Sequence, residues 1–383
     1  MKRFSKWISG SIYLLVCLSS GWLTAQIQLH NDEFDQGESL VNWLNITDEE
    51  GWGVTRLESY NINDSVAGHM FMKPFTGSWY GEFRGAYLYK MVSGDFILTT
   101  TVTATARDYI SLPASDYSLA GIMIREPVAN PNPSNQQNYV FMSIGQATGS
   151  TFNFEIKNTC HSSSNLDIIP TGTTSTATIR MARIGDAIIV LSQFPGEPWE
   201  VRNRYDRSDT PCTNMSFDGT FSETVQIGLV TYTDWPKVVA VGTSFHNTHT
   251  LHPDSLGGDT DPAPGTGYLP DLIGQYDYVR FDSVFVPLSL SGLDLTNPAQ
   301  VSDTDLLNFL GYNTQAHCPE HYHIYTPINQ MYLHARAGST LSAENLVPSQ
   351  SDVSFHAGES VELMPGFSVE ASASLQIDLA GCP

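Results

Sequence analysis

Basic residues are scarce in this sequence. Eighteen Lys and Arg stand against 40 Asp and Glu in 383 residues, a formal net charge of −22. A surface that acidic repels nucleic acid and anionic membranes and argues against both as partners. No Gly-rich phosphate loop, no Gly-x-Ser-x-Gly nucleophile elbow and no basic-aromatic patch occurs, which removes the common signatures of nucleotide phosphate binding, of elbow-type serine hydrolases and of nucleic-acid recognition. Long apolar runs are missing as well, except at residues 7–23, which follow Lys2, Arg3 and Lys6 and end in Leu23-Thr24-Ala25. That pattern predicts a signal peptide over residues 1–25, cleaved near Ala25, and a secreted or cell-surface protein. Ser9, Gly10, Ser19, Ser20 and Gly21 interrupt the run and no second one follows, so no membrane span is expected. Val16 occupies the place where lipid attachment at Cys17 would need a small residue. Without residues 1–25 the balance is 15 basic against 40 acidic residues, a net −25.

Cysteine is sparse too. Beyond Cys17 there are Cys160, Cys212, Cys318 and Cys382. An even number in an oxidising compartment predicts two disulfides. Pairing within each half gives Cys160–Cys212 and Cys318–Cys382, one of three connectivities. Each closes a loop that stabilises by about 4 kcal/mol in the chain-entropy model.

What the sequence does have is strand pattern. Ile179-Arg-Met-Ala-Arg-Ile184 alternates, Gly185-Asp186 supplies turn chemistry, and residues 187–191 form an apolar run. Together they predict an antiparallel hairpin, with Pro195-Gly196 turning the chain and Trp199 returning onto the core. Further strands are predicted at residues 96–102, 119–125, 139–145 and 152–156, then 225–232, 238–245 and 276–286. Asn31-Asp32-Glu33-Phe34-Asp35, with Trp43 soon after, opens the mature chain. This order resembles the concanavalin A-like lectin and glucanase sandwich domains: an Asp-x-Phe-Asp opening, a Gly-Ile-Met-Ile-Arg strand, an arginine-bearing strand with a tight Gly turn, a Trp, then a Gly-Leu strand. The resemblance implies an all-β, antiparallel jelly-roll sandwich over residues 26–287.

Residues 288–316 are read as a linker containing one short helix, with Ser302 or Asp303 as N-cap, Leu306, Leu307 and Leu310 on one face, and Gly311 as its stop. Residues 317–383 repeat a small-small-polar-polar-apolar unit, at Ala337-Gly-Ser-Thr-Leu341, Ala357-Gly-Glu-Ser-Val361 and Ala371-Ser-Ala-Ser-Leu375. This part resembles the three-coathanger stack at the C-terminus of secreted bacterial surface proteins, and the resemblance implies a small stacked β-repeat domain with a structural or sorting role.

The sandwich resemblance raises two chemistries. Related glucanases carry paired carboxylates in a Glu-x-Asp-x-x-Glu pattern, and retaining hydrolysis needs them about 5 Å apart. That pattern is absent: Glu155 stands alone on its strand, and Glu359 and Glu362 lie in the C-terminal repeats. The resemblance therefore points first to a lectin-like protein that binds a glycan or polysaccharide without turnover. A hydrolase using carboxylates from separate strands is the alternative, and a structural or adhesive surface protein the third reading.

Aromatic rings stack on the C–H faces of sugars. Of Trp52, Trp79, Tyr80, Trp199 and Trp235, the expected exposed group is Trp79, Tyr80 and Trp235, which lie beside Gly or Pro; Trp43 and Trp199 are assigned to the core. Asp32, Glu33 and Asp35 near the first strand, with Asp277 and Asp282 near the last, form a candidate calcium site if the two ends of the sandwich meet. His246, His249 and His252, near Asp254, Asp259 and Asp261, and His317, His321 and His323 around Cys318, have spacings seen in zinc ligands, but solvated loop residues are the simpler reading.

Overall fold

The computed structural model describes residues 27–128, 134, 136–208, 219–253, 267–284, 286–287, 289–311, 321–324, 332–337, 339–349 and 351–379. The chain divides into two compact units, Asp32–Arg280 and Met1–Asn31 with Phe281–Pro383.

The first unit is an antiparallel β-sandwich, the fold class the sequence predicts. Its strands are β1 (Leu44–Asn45), β2 (Leu57–Ile62), β3 (Met70–Pro74), β4 (Ala86–Ser93), β5 (Phe96–Thr105), β6 (Ser118–Arg125), β7 (Tyr139–Gln146), β8 (Phe152–Cys160), β9 (Ser163–Gly172), β10 (Thr176–Ile184), β11 (Ala187–Gln193), β12 (Glu200–Asp206), β13 (Thr224–Tyr232) and β14 (Ile273–Tyr276). One sheet runs β1–β4–β13–β6–β7–β8–β9 and the other β12–β11–β10–β5–β14–β3–β2. The predicted hairpin is β10–β11: Ile184 pairs with Ala187, leaving Gly185-Asp186 as its turn. Gly185 supplies the positive φ of 56° that such a turn demands. Trp199 and Trp43 are both buried, as expected, and the Arg180 guanidinium lies 4.3 Å over the Trp199 ring.

The sheets meet closely. Tyr276 on β14 donates its hydroxyl to the Val230 carbonyl on β13 at 2.8 Å and accepts from the Gly121 amide on β6 at 3.2 Å. A Cβ on Gly274 would sit 2.8 Å from Thr231 Cγ2 and 3.0 Å from Ala120 Cβ, so this glycine is fixed by the approach of the layers. The two ends of the sandwich also meet, with Asp32 and Val279 exchanging backbone hydrogen bonds of 2.9 and 2.7 Å.

One predicted strand is replaced. Residues 238–245 lie in a helix. After α1 (Ile46–Glu49), the second helix is α2 (Trp235–Thr248), kinked at Gly242, whose φ of 76° and ψ of 162° are non-helical. The β-branched run Val238, Val239 and Val241 favours a strand locally, but Pro236 starts the helix, and buried Arg56 holds its end by donating to the His246 and His249 carbonyls at 2.6 and 3.1 Å. The predicted closing strand at 276–286 is found in two shorter pieces: Tyr276 ends β14, which pairs with β5 and β3, and β15 (Arg280–Asp282) pairs with β5 in the same sheet.

In the second unit, α3 (Asp303–Leu310) is the helix predicted from its caps. Ser302 and Asp305 form a capping box, and Gly311 closes the helix. Its buried residues are Leu306, Phe309 and Leu310; Phe309 takes the place expected of Leu307. The C-terminal strands are β16 (His321–Ile324), β17 (Tyr332–Ala337), β18 (Thr340–Ala343), β19 (Leu346–Val347), β20 (Asp352–Ala357), β21 (Ser360–Leu363), β22 (Ser368–Val369) and β23 (Ser374–Asp378). They stack as parallel sheets β16–β18–β21, β17–β20–β23 and β19–β22. Leu341 lies in register with Val361, as the repeat predicts, but Leu375 lies beside Val353, so the third copy of the motif occupies a different corner of the stack.

Candidate functional site

The outer face of the seven-stranded sheet carries two buried ion pairs. Gln226, Arg125 and Tyr139 stand in one row across β13, β6 and β7. Glu50, at the end of α1, is brought to the same row by a short helix capped by the Asn45 side chain on the Thr47 amide. Both Glu50 oxygens accept from Arg125, at 2.5 and 3.1 Å, and Gln226 and Trp52 Nε1 add bonds of 3.3 and 3.1 Å. Arg125 also donates to Gln226 and Gln137 and lies over the Trp79 ring. A planar guanidinium with this many acceptors fixes the orientation of the carboxylate.

Two rows away, Lys157 Nζ stands 2.7 Å from Glu155 Oε1 and donates to the Trp79 carbonyl at 2.7 Å, among the rings of Tyr80, Phe141 and Tyr232. Tyr232 donates to Glu155 Oε2 at 2.9 Å and shares a 2.6 Å bond with Ser143. Burial lowers the Lys157 pKa, opposed by Glu155, and raises that of Tyr232 well above the usual phenol value.

Above these pairs opens a cleft of ≈ 530 Å³ between the segments around residues 50–52 and 82–84 and the C-terminal half of α2. Half-buried Trp52 forms one wall. Its ring is fixed by the Glu50 hydrogen bond, by the edge of Trp79 at 6.0 Å and by the Arg84 guanidinium at 5.7 Å. Glu82, Arg84, Thr243, Ser244 and Asn247 supply polar groups, and the Asn247 amide ties α2 to the Glu82 carbonyl at 2.8 Å. Desolvation lowers the Arg84 pKa, with Glu82 opposing it.

Of the predicted aromatic group, Trp79 is fully buried and is not a surface platform; its Nε1 donates to the Ala86 carbonyl, and it sits among Trp52, Tyr87 and Tyr139. Tyr80 and Trp235 are brought together, with centroids 5.4 Å apart, and Phe83 and Tyr117 flank Trp235. Tyr80 is exposed and Trp235 half-buried. Trp52, set aside in favour of these three, is the ring that lines the cleft.

Three of the five predicted calcium ligands make other contacts. Asp32 is buried and accepts from Trp43 Nε1, Ser39 Oγ and the Phe34 amide at 2.9–3.0 Å. Glu33 accepts from Arg280 Nε and Nη2, both at 2.7 Å, and Asp277 pairs with His69 at 2.7 Å. Asp35 is exposed and Asp282 buried. Among the described residues no three His, Cys, Asp or Glu side chains are grouped to hold a metal ion. His246 is buried with Nδ1 on Asn247, and burial holds its pKa well below the usual imidazole value. His249 stacks on Phe245, and His252 packs edge-on to Phe75. Cys160 is buried at the end of β8. Cys212, Cys318, Cys382, Asp254, Asp259, Asp261 and His317 lie outside the described residues, as do the side chains of His321 and His323.

No family model matches the chain, and no curated protein does. Among solved structures it is similar to the GH43 BlXynB protein from Bacillus licheniformis, at 11% identity and TM-score 0.41 over 66% of this chain and 39% of that one. It is also similar to xylan beta-1,4-xylosidase from Bacillus halodurans, at 13% and 0.40 over 66% and 39%. A third is a prokaryotic beta-1,3-1,4-glucanase (lichenase) from a mouse hindgut metagenome, at 12% and 0.35 over 66% and 98%. The chain thus spans 39% of the length of the two former proteins. Likeness at this level says nothing of activity.

Proposed function

We propose that the protein is exported and binds carbohydrate in the Trp52 cleft. The observation that carries this reading is the wall itself: an indole held rigid by three contacts, facing a space ringed by carboxylate, guanidinium, amide and hydroxyl groups. An apolar plane beside convergent polar groups suits a pyranose ring, and the cleft volume falls in the range of small-ligand sites.

Trp52→Ala is expected to weaken oligosaccharide binding at least about tenfold, a loss of roughly 1.4 kcal/mol, by isothermal titration. The panel includes xylan and mixed-linkage β-glucan fragments, with and without EDTA. Because Asp32, Glu33 and Asp277 are engaged in other contacts, EDTA is expected to leave binding unchanged. Failure of every glycan to bind would end the proposal and favour a structural surface role.

Hydrolysis is the second reading. Glu50 and Glu82 are the carboxylates the cleft offers it. Both Glu50 oxygens are engaged by Arg125, Gln226 and Trp52, which favours recognition. Release of reducing ends, abolished by Glu50→Gln or Glu82→Gln, would establish hydrolysis instead.

Cys160 is proposed to pair with Cys212, and Cys318 with Cys382. Alkylation of the mature protein without reductant is then expected to add no mass; two or more labelled thiols would refute the pairing.

A further inference from the structure

The last described rung of the C-terminal stack leaves part of its apolar interior exposed. Ala343, Val347 and Phe355 are fully buried, each at 0% exposure. Their in-register neighbours on the last rung are Leu363, Val369 and Ile377. Those are 45%, 41% and 43% exposed. The stack therefore continues these apolar columns by one residue each and leaves that residue partly exposed. The same rung carries the last strand of each parallel sheet, β21, β22 and β23. Among the described residues none pairs with their outer edges, which offer backbone donors and acceptors to a further strand.

Charge decides what fits there. Residues 337–383 contain six acids and not one Lys or Arg. Glu359, Glu362, Glu370 and Asp378 belong to the last rung. Two such ends meeting face to face would oppose like charges, whereas a strand flanked by lysine or arginine would meet complementary ones. We propose that this open end docks a β-strand-forming segment of a partner protein with alternating apolar and basic residues, which adds as one more parallel rung over Leu363, Val369 and Ile377. This is independent of the carbohydrate reading.

The probe is a labelled synthetic peptide copying residues 352–363, one corner of a rung, with Asp352→Lys, Glu359→Lys and Glu362→Lys. It is titrated by fluorescence anisotropy with the full oxidised chain, alongside the unmodified copy and a scrambled lysine version. The lysine peptide is expected to saturate, to bind at least about tenfold tighter than either control, and to weaken with added salt. The Leu363→Lys/Ile377→Lys variant is expected to lose that binding at least about tenfold, because it removes both apolar contacts and adds like charge. Both side chains are exposed, and an unchanged circular dichroism spectrum checks the fold. Should the variant misfold, the three peptides on the unaltered chain still distinguish specific docking from none. No saturation by about 1 mM, or equal binding of all three peptides, would overturn the proposal. So would sedimentation showing that the chain alone assembles through Leu363 and Ile377, which would make the occupant a second copy.

Discussion

Replacing Trp79 by alanine is expected to destabilise the sandwich by about 3–5 kcal/mol, the cost of emptying a fully buried indole site. The ring is surrounded on every side that matters. Trp52, Tyr87 and Tyr139 meet it edge-on at 6.0, 6.3 and 5.5 Å, and the Arg125 guanidinium lies 5.7 Å from its centroid. Its Nε1 satisfies the Ala86 carbonyl at 3.2 Å. Truncation would leave that carbonyl without its donor and open a void next to a buried cation, so relaxation recovers little. Trp79→Phe keeps the plane and loses the donor, and is expected to cost roughly 1–2 kcal/mol. Urea midpoints for the two variants, read with glycan titrations, separate support from contact. A large midpoint shift identifies Trp79 as the floor on which Trp52 rests. An unchanged midpoint with lost glycan affinity would return it to the ligand surface.

The contrast between these two tryptophans shows what a sequence can and cannot disclose. Trp79 stands in a glycine-rich stretch, and glycine reads as an exposed loop. Gly85 has another reason to be glycine: a Cβ there would lie 2.7 Å from Trp79 Cδ1, so its absence makes room for a packed ring. Local pattern carried the strands well because each had its own alternation and its own turn, as at Gly185, and the α3 boundaries because both caps are local. It failed for α2, where the β-branched run favoured a strand and the deciding contacts come from Arg56, 190 and 193 positions away. The cleft was invisible for the same reason. Glu50 and Arg125 are 75 positions apart, and only the pairing of β13, β6 and β7 brings Gln226 and Gln137 around them. One signal was available: Arg125 ends an otherwise largely apolar strand and Lys157 follows Glu155 by two positions on one face of another, and a cation at a core position demands a buried carboxylate.

Lys157 makes that demand testable. Lys157→Met is expected to destabilise the fold by about 3–5 kcal/mol at pH 7, because it leaves the Glu155 carboxylate buried without its cation. The Trp79 carbonyl loses its donor too. The double variant Lys157→Met/Glu155→Gln removes both charges and keeps an acceptor for Tyr232, so most of the loss is expected to return. The pH dependence has a definite sign. In the unaltered protein burial lowers the Lys157 pKa below 10.5. Between the lowered value and 10.5 the unfolded chain binds more protons than the fold, so this residue's contribution to stability rises with pH there. Urea midpoints at pH 7 should place the Lys157→Met variant well below the unaltered protein and the double variant close to it. A deficit under about 1 kcal/mol would mean that water reaches Glu155 and that the pair is not the dry anchor of the Trp79 segment. If the deficit is large and the double variant recovers it, the Trp79 carbonyl, the Trp79 ring and the Trp52 wall form one supported column. The cleft then owes its shape to a charge pair two rows away, with no contact to the ligand required.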